Sequence, residues 1–246
     1  FWQIWIGDEE DYYYYGDQGD EDGAYVVDRA VAPNGDVVIT GPVERIFGLD
    51  VRVEVRLYAA GEMARVLVTY TNPTGAPITV WTGTDNKYGS DDETTYAATS
   101  SGDAAFPTAD DDWAVSSNGG EERDPVLLNA WQGASGSWRA SDLGGSPGWF
   151  WTEGGLTVAP GATVRLAYFT KIFGWGTSDD EGEIGWADVA PAASMADGLD
   201  AAIEAAIAGA TELASFSGRL VAGLEPGTVV ANWGTVPGGT VPPAPP

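Results

Sequence analysis

The stretch Leu49-Asp-Val-Arg-Val-Glu-Val-Arg-Leu-Tyr58 alternates apolar and charged side chains over ten positions. A period of two marks a strand with one buried face, because successive side chains on an extended backbone point to opposite sides. Leu49, Val51, Val53, Val55 and Leu57 are therefore expected to face a core. Asp50, Arg52, Glu54 and Arg56 should face water or cross-strand partners. The turn Ala60-Gly61-Glu62 follows and residues 63–71 repeat the theme, so the two segments read as an antiparallel hairpin.

The same grammar continues on both sides. Phe1-Trp-Gln-Ile-Trp-Ile6 mixes aromatic and β-branched residues as strands do. Residues 24–28 and 36–40 read as short strands around the turn Pro33-Asn34-Gly35-Asp36. Asn72-Pro-Thr-Gly-Ala-Pro77 is another turn, and a strand beginning at Ile78 leads into a long polar stretch ending near Asp112. Segments 113–116, 126–131, 149–152 and 163–173 supply further strands. One helix is predicted over about 194–209, where the Ser194 hydroxyl can cap near Asp197. Met195, Leu199, Ile203 and Ile207 then recur every four residues on one face. A short helical turn is expected within 212–221, and the Pro/Gly-rich segment 237–246 reads as an extended tail. The predicted fold is mainly β: a large antiparallel β-sandwich formed by residues 1–236 as one domain, one C-terminal helix packed on it, and the Pro-rich tail.

Composition narrows the chemistry. There are 37 Asp+Glu against 11 Lys+Arg, a formal charge of −26, so nucleic-acid phosphates and anionic membranes are repelled at long range. Nucleic-acid binding is not expected. Only Lys87 and Lys171 are lysines, a balance seen in proteins kept soluble in high salt or rich in bound divalent cations, and equally in ordinary acidic secreted proteins. The absence of cysteine removes disulfides, thiolate nucleophiles and Cys-ligated metals. The absence of histidine removes the commonest general base and transition-metal ligand. Carboxylate, tyrosine, hydroxyl and lysine chemistry remain. No run of about 18 apolar residues occurs, so no membrane insertion is expected. Richness in Gly, Thr, Asn and Trp, with Phe1 at the first position, suggests an exported, extracellular protein whose leader has been removed.

Three stretches carry a resemblance. Gly48-Leu-Asp-Val-Arg52 leads into Ala64-Arg-Val-Leu-Val-Thr-Tyr-Thr-Asn-Pro-Thr74. Asn86-Lys-Tyr-Gly-Ser-Asp91 leads through Thr99-Ser-Ser-Gly-Asp103 to Asp112-Trp113 and Asp124-Pro125. Ala159-Pro-Gly-Ala162 precedes a strand, and a helix closes with Gly223-Leu224 and Asn232-Trp233. Over residues 36–233 this layout resembles uncharacterised secreted bacterial β-sandwich surface domains. The resemblance implies a secreted or cell-surface sandwich and assigns neither an activity nor a site residue.

Candidate sites follow from residue type. Asp17, Asp20 and Asp22, next to Gly23, are hard oxygen ligands around a turn and suit calcium, although their spacing departs from an EF-hand. A solvated acidic loop is the plainer reading. Ser90-Asp91-Asp92-Glu93 and Asp110-Asp111-Asp112 are weaker versions of the same pattern. Among Trp131, Trp138, Trp149, Trp151, Trp175 and Trp186, the Gly-rich surroundings of Trp138 and Trp149 mark those two as candidate exposed ring platforms for a glycan. Rings filling the core are the plainer reading. Glu153, Glu181 and Glu183, near Trp151, Trp175 and Trp186, are the candidate carboxylates of a glycosidase. Finally, Phe1, Trp2, Ile4, Trp5 and Ile6 form an aromatic strand that can pair with the open sheet edge of a neighbour.

The leading expectation is a non-enzymatic extracellular structural or surface protein, a homo-oligomer or polymer such as a filament, layer or appendage joined through terminal strands. The alternatives are a carbohydrate-binding module using exposed tryptophans and a carboxylate-based glycoside hydrolase.

Overall fold

A computed structural model describes residues 2–8, 11–16, 27–59, 63–87, 94–117, 126–146, 149–173 and 198–238. Along the chain, β1 (Trp2–Gly7) and β2 (Tyr12–Tyr14) come first, then β3 (Asp28–Val31), β4 (Val37–Thr40) and β5 (Glu44–Ile46). The alternating stretch forms β6 (Leu49–Leu57) and its repeat forms β7 (Met63–Thr71). β8 (Ile78–Lys87), β9 (Thr95–Thr99), β10 (Trp113–Ser117) and β11 (Val126–Ala130) follow. β12 (Asp142–Ser146), β13 (Trp149–Val158) and β14 (Thr163–Phe173) complete the two large sheets. Helix α1 (Leu199–Ala214), a 3-10 turn at Gly218–Val221 and the small pair β15 (Val229–Val230) and β16 (Gly234–Thr235) end the described chain.

The hairpin lies at the middle of a nine-stranded sheet ordered β3-β4-β6-β7-β14-β11-β10-β9, with β5 also pairing along β6. A five-stranded sheet, β12-β13-β8-β1-β2, packs across it, and every described pairing is antiparallel. Ile4, Ile6 and Val80 from the smaller sheet and Leu49, Val51, Val68 and Leu166 from the larger one fill the space between. Each such aliphatic side chain contributes about 1.5–3 kcal/mol on full burial. The predicted β-sandwich with one packed helix is the observed architecture.

The larger sheet is covered on its second face too. Helix α1 packs on β10, β11 and β14, and the chain after it runs back over β6 and β7. This second cover changes the expected strand polarity. Arg56, expected to face water, is buried and donates to Asp36 Oδ2 at 2.9 Å. Arg65 is fully buried and donates to the carbonyls of Leu220 (2.9 Å) and Ala222 (3.1 Å) and to Glu54 (3.0 Å). Leu57, expected in the core, is 38% exposed at the strand end.

The helix also differs from expectation. It begins after Gly198, whose φ of 110° suits glycine, and its buried stripe is Ala202, Ala206, Ala210 and Leu213. Ile207 is among the exposed hydrophobics, and Leu199 and Ile203 only flank the contact. Small side chains let the axis approach the sheet; a Cβ on Gly209 would come within 2.9 Å of the Phe173 ring. Ser194, Met195 and the 239–246 part of the tail lie outside the described residues.

The N-terminal segment is a strand, as expected, but not an open edge. β1 is hydrogen-bonded to β8 along Trp2–Gly7 and to β2 along Trp5–Gly7, so the main-chain groups of its second half are paired on both sides within the chain. Ile4 and Ile6 are buried in the core rather than available to a neighbour, and Trp5 projects from the other face. Phe1 and the Trp2 side chain lie outside the described residues.

Candidate functional site

The outer face of the five-stranded sheet holds the side chains opposite in phase to Ile4, Ile6, Val80 and Leu156. Antiparallel register arranges them in rows. One row crosses all five strands as Asp142, Glu153, Gly83, Trp5 and Tyr14. On one side of it runs Gly144, Trp151, Asp85 and Gln3; on the other runs Gly155, Trp81, Gly7 and Tyr12. Each tryptophan thus has a strand glycine as a lateral neighbour.

The glycines decide how the rings lie. Trp5, on β1, donates its indole N–H to the Thr152 carbonyl on β13 at 3.2 Å. To reach it the ring crosses β8 at Gly83, where a Cβ would sit 3.1 Å from the indole nitrogen and collide with Thr152. Trp151 lies over Gly144 in the same way, since a Cβ there would fall 2.7 Å from ring atom Cε2. Trp81, between Gly155 and Gly7, is 39% exposed. Glycine costs a strand stability and packing, and within a strand it commonly marks a close approach by another group. Here that group is an indole.

These rings line a cleft of about 560 Å³ together with Asp8, Asp11, Tyr12, Tyr14, Asp85 and Glu153. The Tyr14 hydroxyl donates to Asp85 Oδ2 at 3.1 Å, holding a mostly buried carboxylate between Trp151 and Trp5. Tyr12 and Tyr14 meet edge to face at 5.8 Å, which stiffens the wall they form. Burial, and then the charge of its cross-strand partner Asp142, pushes the Glu153 carboxyl above the usual range. The cleft thus offers aromatic surface and carboxylate acceptors. Its acidity, in a chain of charge −26, disfavours anionic ligands.

Trp138 is not one of the platforms. It is 6% exposed, donates its ring N–H to the Gly155 carbonyl at 3.1 Å, and packs against Gly154 from the core side. Its Gly-rich surroundings reflect this tight inner packing rather than exposure. Trp149 begins β13, with its side chain outside the described residues. Asp17, Asp20, Asp22, residues 90–93, Glu181, Glu183, Trp175 and Trp186 are also outside them. Among the described residues no group of three or more carboxylates is arranged to hold a metal. Asp111 has a different role: it is buried and accepts from the backbone N–H groups of Ser101 and Thr108, both at 2.9 Å, closing its own loop. Asp112 pairs with Arg139 at 2.8 Å.

Sequence reasoning selected Glu153 and placed it near Trp151, and the structure brings both to this cleft. It missed Trp81 and Asp85, and it assigned Trp5 to assembly. The signal was the alternation of 2–7 and 78–87, in which Trp5, Trp81 and Asp85 are out of phase with the buried residues, with Gly7 and Gly83 sharing their phase.

No protein-family model and no curated protein sequence matches the chain. Several solved structures align with the chain at low identity and with TM-scores below 0.5. A protein described as a kojibiose phosphorylase, from the human microbiome, aligns over 87% of this chain at 10% identity with a TM-score of 0.45. This chain spans 25% of that protein's length. A protein described as an aldose 1-epimerase, from Escherichia coli K12, aligns over 69% of this chain and 79% of its own at 10% identity, TM-score 0.39. A galactose mutarotase-like protein from Lactobacillus casei aligns over 70% and 84% at 12% identity, TM-score 0.38.

Proposed function

We propose that the protein binds a neutral carbohydrate on the outer face of its five-stranded sheet. Trp5, Trp81 and Trp151 serve as platforms for sugar rings, and Asp85 and Glu153 accept hydrogen bonds from sugar hydroxyls. One observation carries this reading: three tryptophans on the adjacent strands β13, β8 and β1 line one cleft of about 560 Å³, and two of them, Trp5 and Trp151, lie over strand glycines. Such an arrangement turns aromatic surface outward, and a few convergent polar groups beside apolar walls are what ligand sites use for orientation. The direct test is calorimetric titration of a panel of neutral oligosaccharides, with tryptophan emission followed in parallel. Saturable binding is expected, weakened about tenfold, or about 1.4 kcal/mol, in each of W5A, W81A and W151A. No saturable binding to any panel member, or wild-type affinity in all three folded variants, would refute the proposal.

A second reading, hydrolysis of the bound glycan, is favoured by Glu153. A carboxyl pushed above its usual range suits a general acid, and Asp85 is its diagonal neighbour across the β8–β13 pair. Diagonal neighbours on one sheet face stand roughly 7–8 Å apart at the backbone, so both carboxyl groups can open on the same cleft, as the acid and base of an inverting glycosidase do. Release of reducing ends from a bound oligosaccharide, lost in E153Q and D85N while binding persists, would support it. A bound glycan that stays intact would remove it.

A further inference from the structure

The basic side chains point to a second site, on the other side of the molecule. Of the nine whose side chains are described, Arg45, Arg56, Arg65, Arg139, Lys171 and Arg219 each lie within salt-bridge distance of a carboxylate. Arg29, Arg52 and Arg165 have no such partner among the described residues. Two of the three share one cleft.

Arg52 on β6 is directly opposite Thr69 on β7, and Thr69 is directly opposite Arg165 on β14. The two arginines therefore flank a hydroxyl on one row of the nine-stranded sheet. Two strand spacings separate their backbones by about 10 Å, a span across which two guanidinium groups can converge on one ligand. Arg52 and Arg165 share the phase of Leu67, Ala167 and Phe169, which belong to the helix-side core, so the row faces away from the tryptophan cleft. Thr40 and Thr228 add hydroxyls to a cleft of about 280 Å³. Of its two carboxylates, Glu54 is already held by Arg65 at 3.0 Å, and Glu225 stands on the segment that walls the cleft.

Two like charges side by side on a sheet repel each other. An oxyanion between them removes that repulsion and supplies the planar, bidentate acceptor that guanidinium groups recognise. We propose that this cleft binds a small oxyanion, a carboxylate, sulfate or phosphate group, held by Arg52 and Arg165 with the Thr69 hydroxyl beneath it. The site goes beyond the proposed carbohydrate cleft and shares no residue with it.

The test is titration of the full chain with sodium sulfate, sodium phosphate and sodium acetate in 150 mM NaCl, read by calorimetry and by the arginine Nε–H signals in NMR. A parallel arm uses a sulfated disaccharide and a uronic-acid disaccharide, which separates a free ion from an anionic substituent on a sugar. Saturable binding of at least one probe is expected, with the Arg52 and Arg165 signals shifting together. R52Q and R165Q should each weaken it about tenfold or more, as loss of a charge-assisted hydrogen bond does. R29Q removes the same charge from the exposed strand β3 and should leave binding unchanged. Equal loss in R29Q would reduce the effect to net charge and overturn the proposal. So would failure of every probe to saturate, or saturation without movement of the Arg52 and Arg165 signals. The NMR reading is made on the unsubstituted protein, so it decides the matter even if a variant fails to fold.

Discussion

The outer faces of the two sheets use the same ingredients, aromatic rings and charged groups, under opposite conditions. Across the nine-stranded sheet, Phe169 packs against Phe216 and Trp233 of the C-terminal cover with ring spacings of 5.1–6.4 Å, and Arg56 and Arg65 are sealed in with their partners. Across the five-stranded sheet, Trp5, Trp81 and Trp151 line an open cleft with Asp85 and Glu153. The contrast lies in what each face is built to receive. Alanines at 202, 206 and 210 let a helix settle on one sheet, whereas glycines at 83 and 144 let rings settle on the other. Buried charge on the first face stabilises the fold only while complete; the aromatics of the second line a cleft.

The largest effect that separates the two faces should come from Arg65→Ala. It removes the guanidinium from the Ala222 carbonyl and Glu54 and leaves the Leu220 carbonyl to the Tyr58 hydroxyl, and breaking such a buried arrangement costs about 3–5 kcal/mol. Urea denaturation measures this, and glycan affinity per folded molecule should not change. A loss under about 1 kcal/mol would mean that the C-terminal cover does not depend on this anchor.

Asn232→Ala should come next, at about 2–3 kcal/mol, because buried groups that lose their partners carry their full desolvation cost. The Asn232 amide donates to the carbonyls of Trp131 (2.7 Å) and Ala167 (2.6 Å), while its oxygen accepts from the Ala167 N–H (2.9 Å). Thermal melting would register the change.

Gly144→Ala reverses the pattern. The added methyl meets the Trp151 ring, so glycan affinity should fall about tenfold, or about 1.4 kcal/mol, with little change in denaturation midpoint. A variant that keeps full affinity would show that the lie of Trp151 is irrelevant to binding.

The smallest effects are in pH dependence, and they have opposite signs on different groups. Burial pushes the Asp36 carboxyl up, but the Ala59 N–H, Asn34 and Arg56 together bring it below its ordinary value. Its stabilising contribution is therefore present above the ordinary carboxylate range and is lost as pH falls through the depressed folded value. Asp111 behaves alike, with burial outweighed by Thr108 and Ser101. Glu153 is raised, so its contribution is present below the ordinary value and is lost as pH rises through the folded one. Asp36→Asn should flatten the acid limb of a stability–pH curve, and Glu153→Gln should make the protein slightly more stable at neutral pH. Identical slopes for wild type and both variants would contradict this account.

Much of the larger sheet was legible because its strands obey local rules. The alternation of 49–57, its repeat in 63–71 and the turn signals between 72 and 77 specify strands without reference to anything distant. What covers the second face was not legible. Arg56 and Arg65 look like solvent residues in the sequence, and only a chain segment over 150 positions away makes Arg65 internal. The helix shows the same limit: isoleucines signalled a buried face, but close approach to a sheet favours alanines. The cleft was partly legible through Glu153 and Trp151. Trp81 and Trp5 became site residues only through register, because the sequence does not say that β1 inserts between β2 and β8.

That insertion has a kinetic consequence. The row from Tyr14 through Trp5 and Gly83 to Glu153 joins residues nearly 150 positions apart, and no local hairpin can build it. Loop-closure entropy must be overcome before such contacts stabilise anything, which places β-rich chains of this kind among slow folders. The tryptophan-lined face would then mature late in refolding, after hairpins such as β6–β7. The emission of Trp5, settling over Gly83, would serve as a stopwatch for that last step.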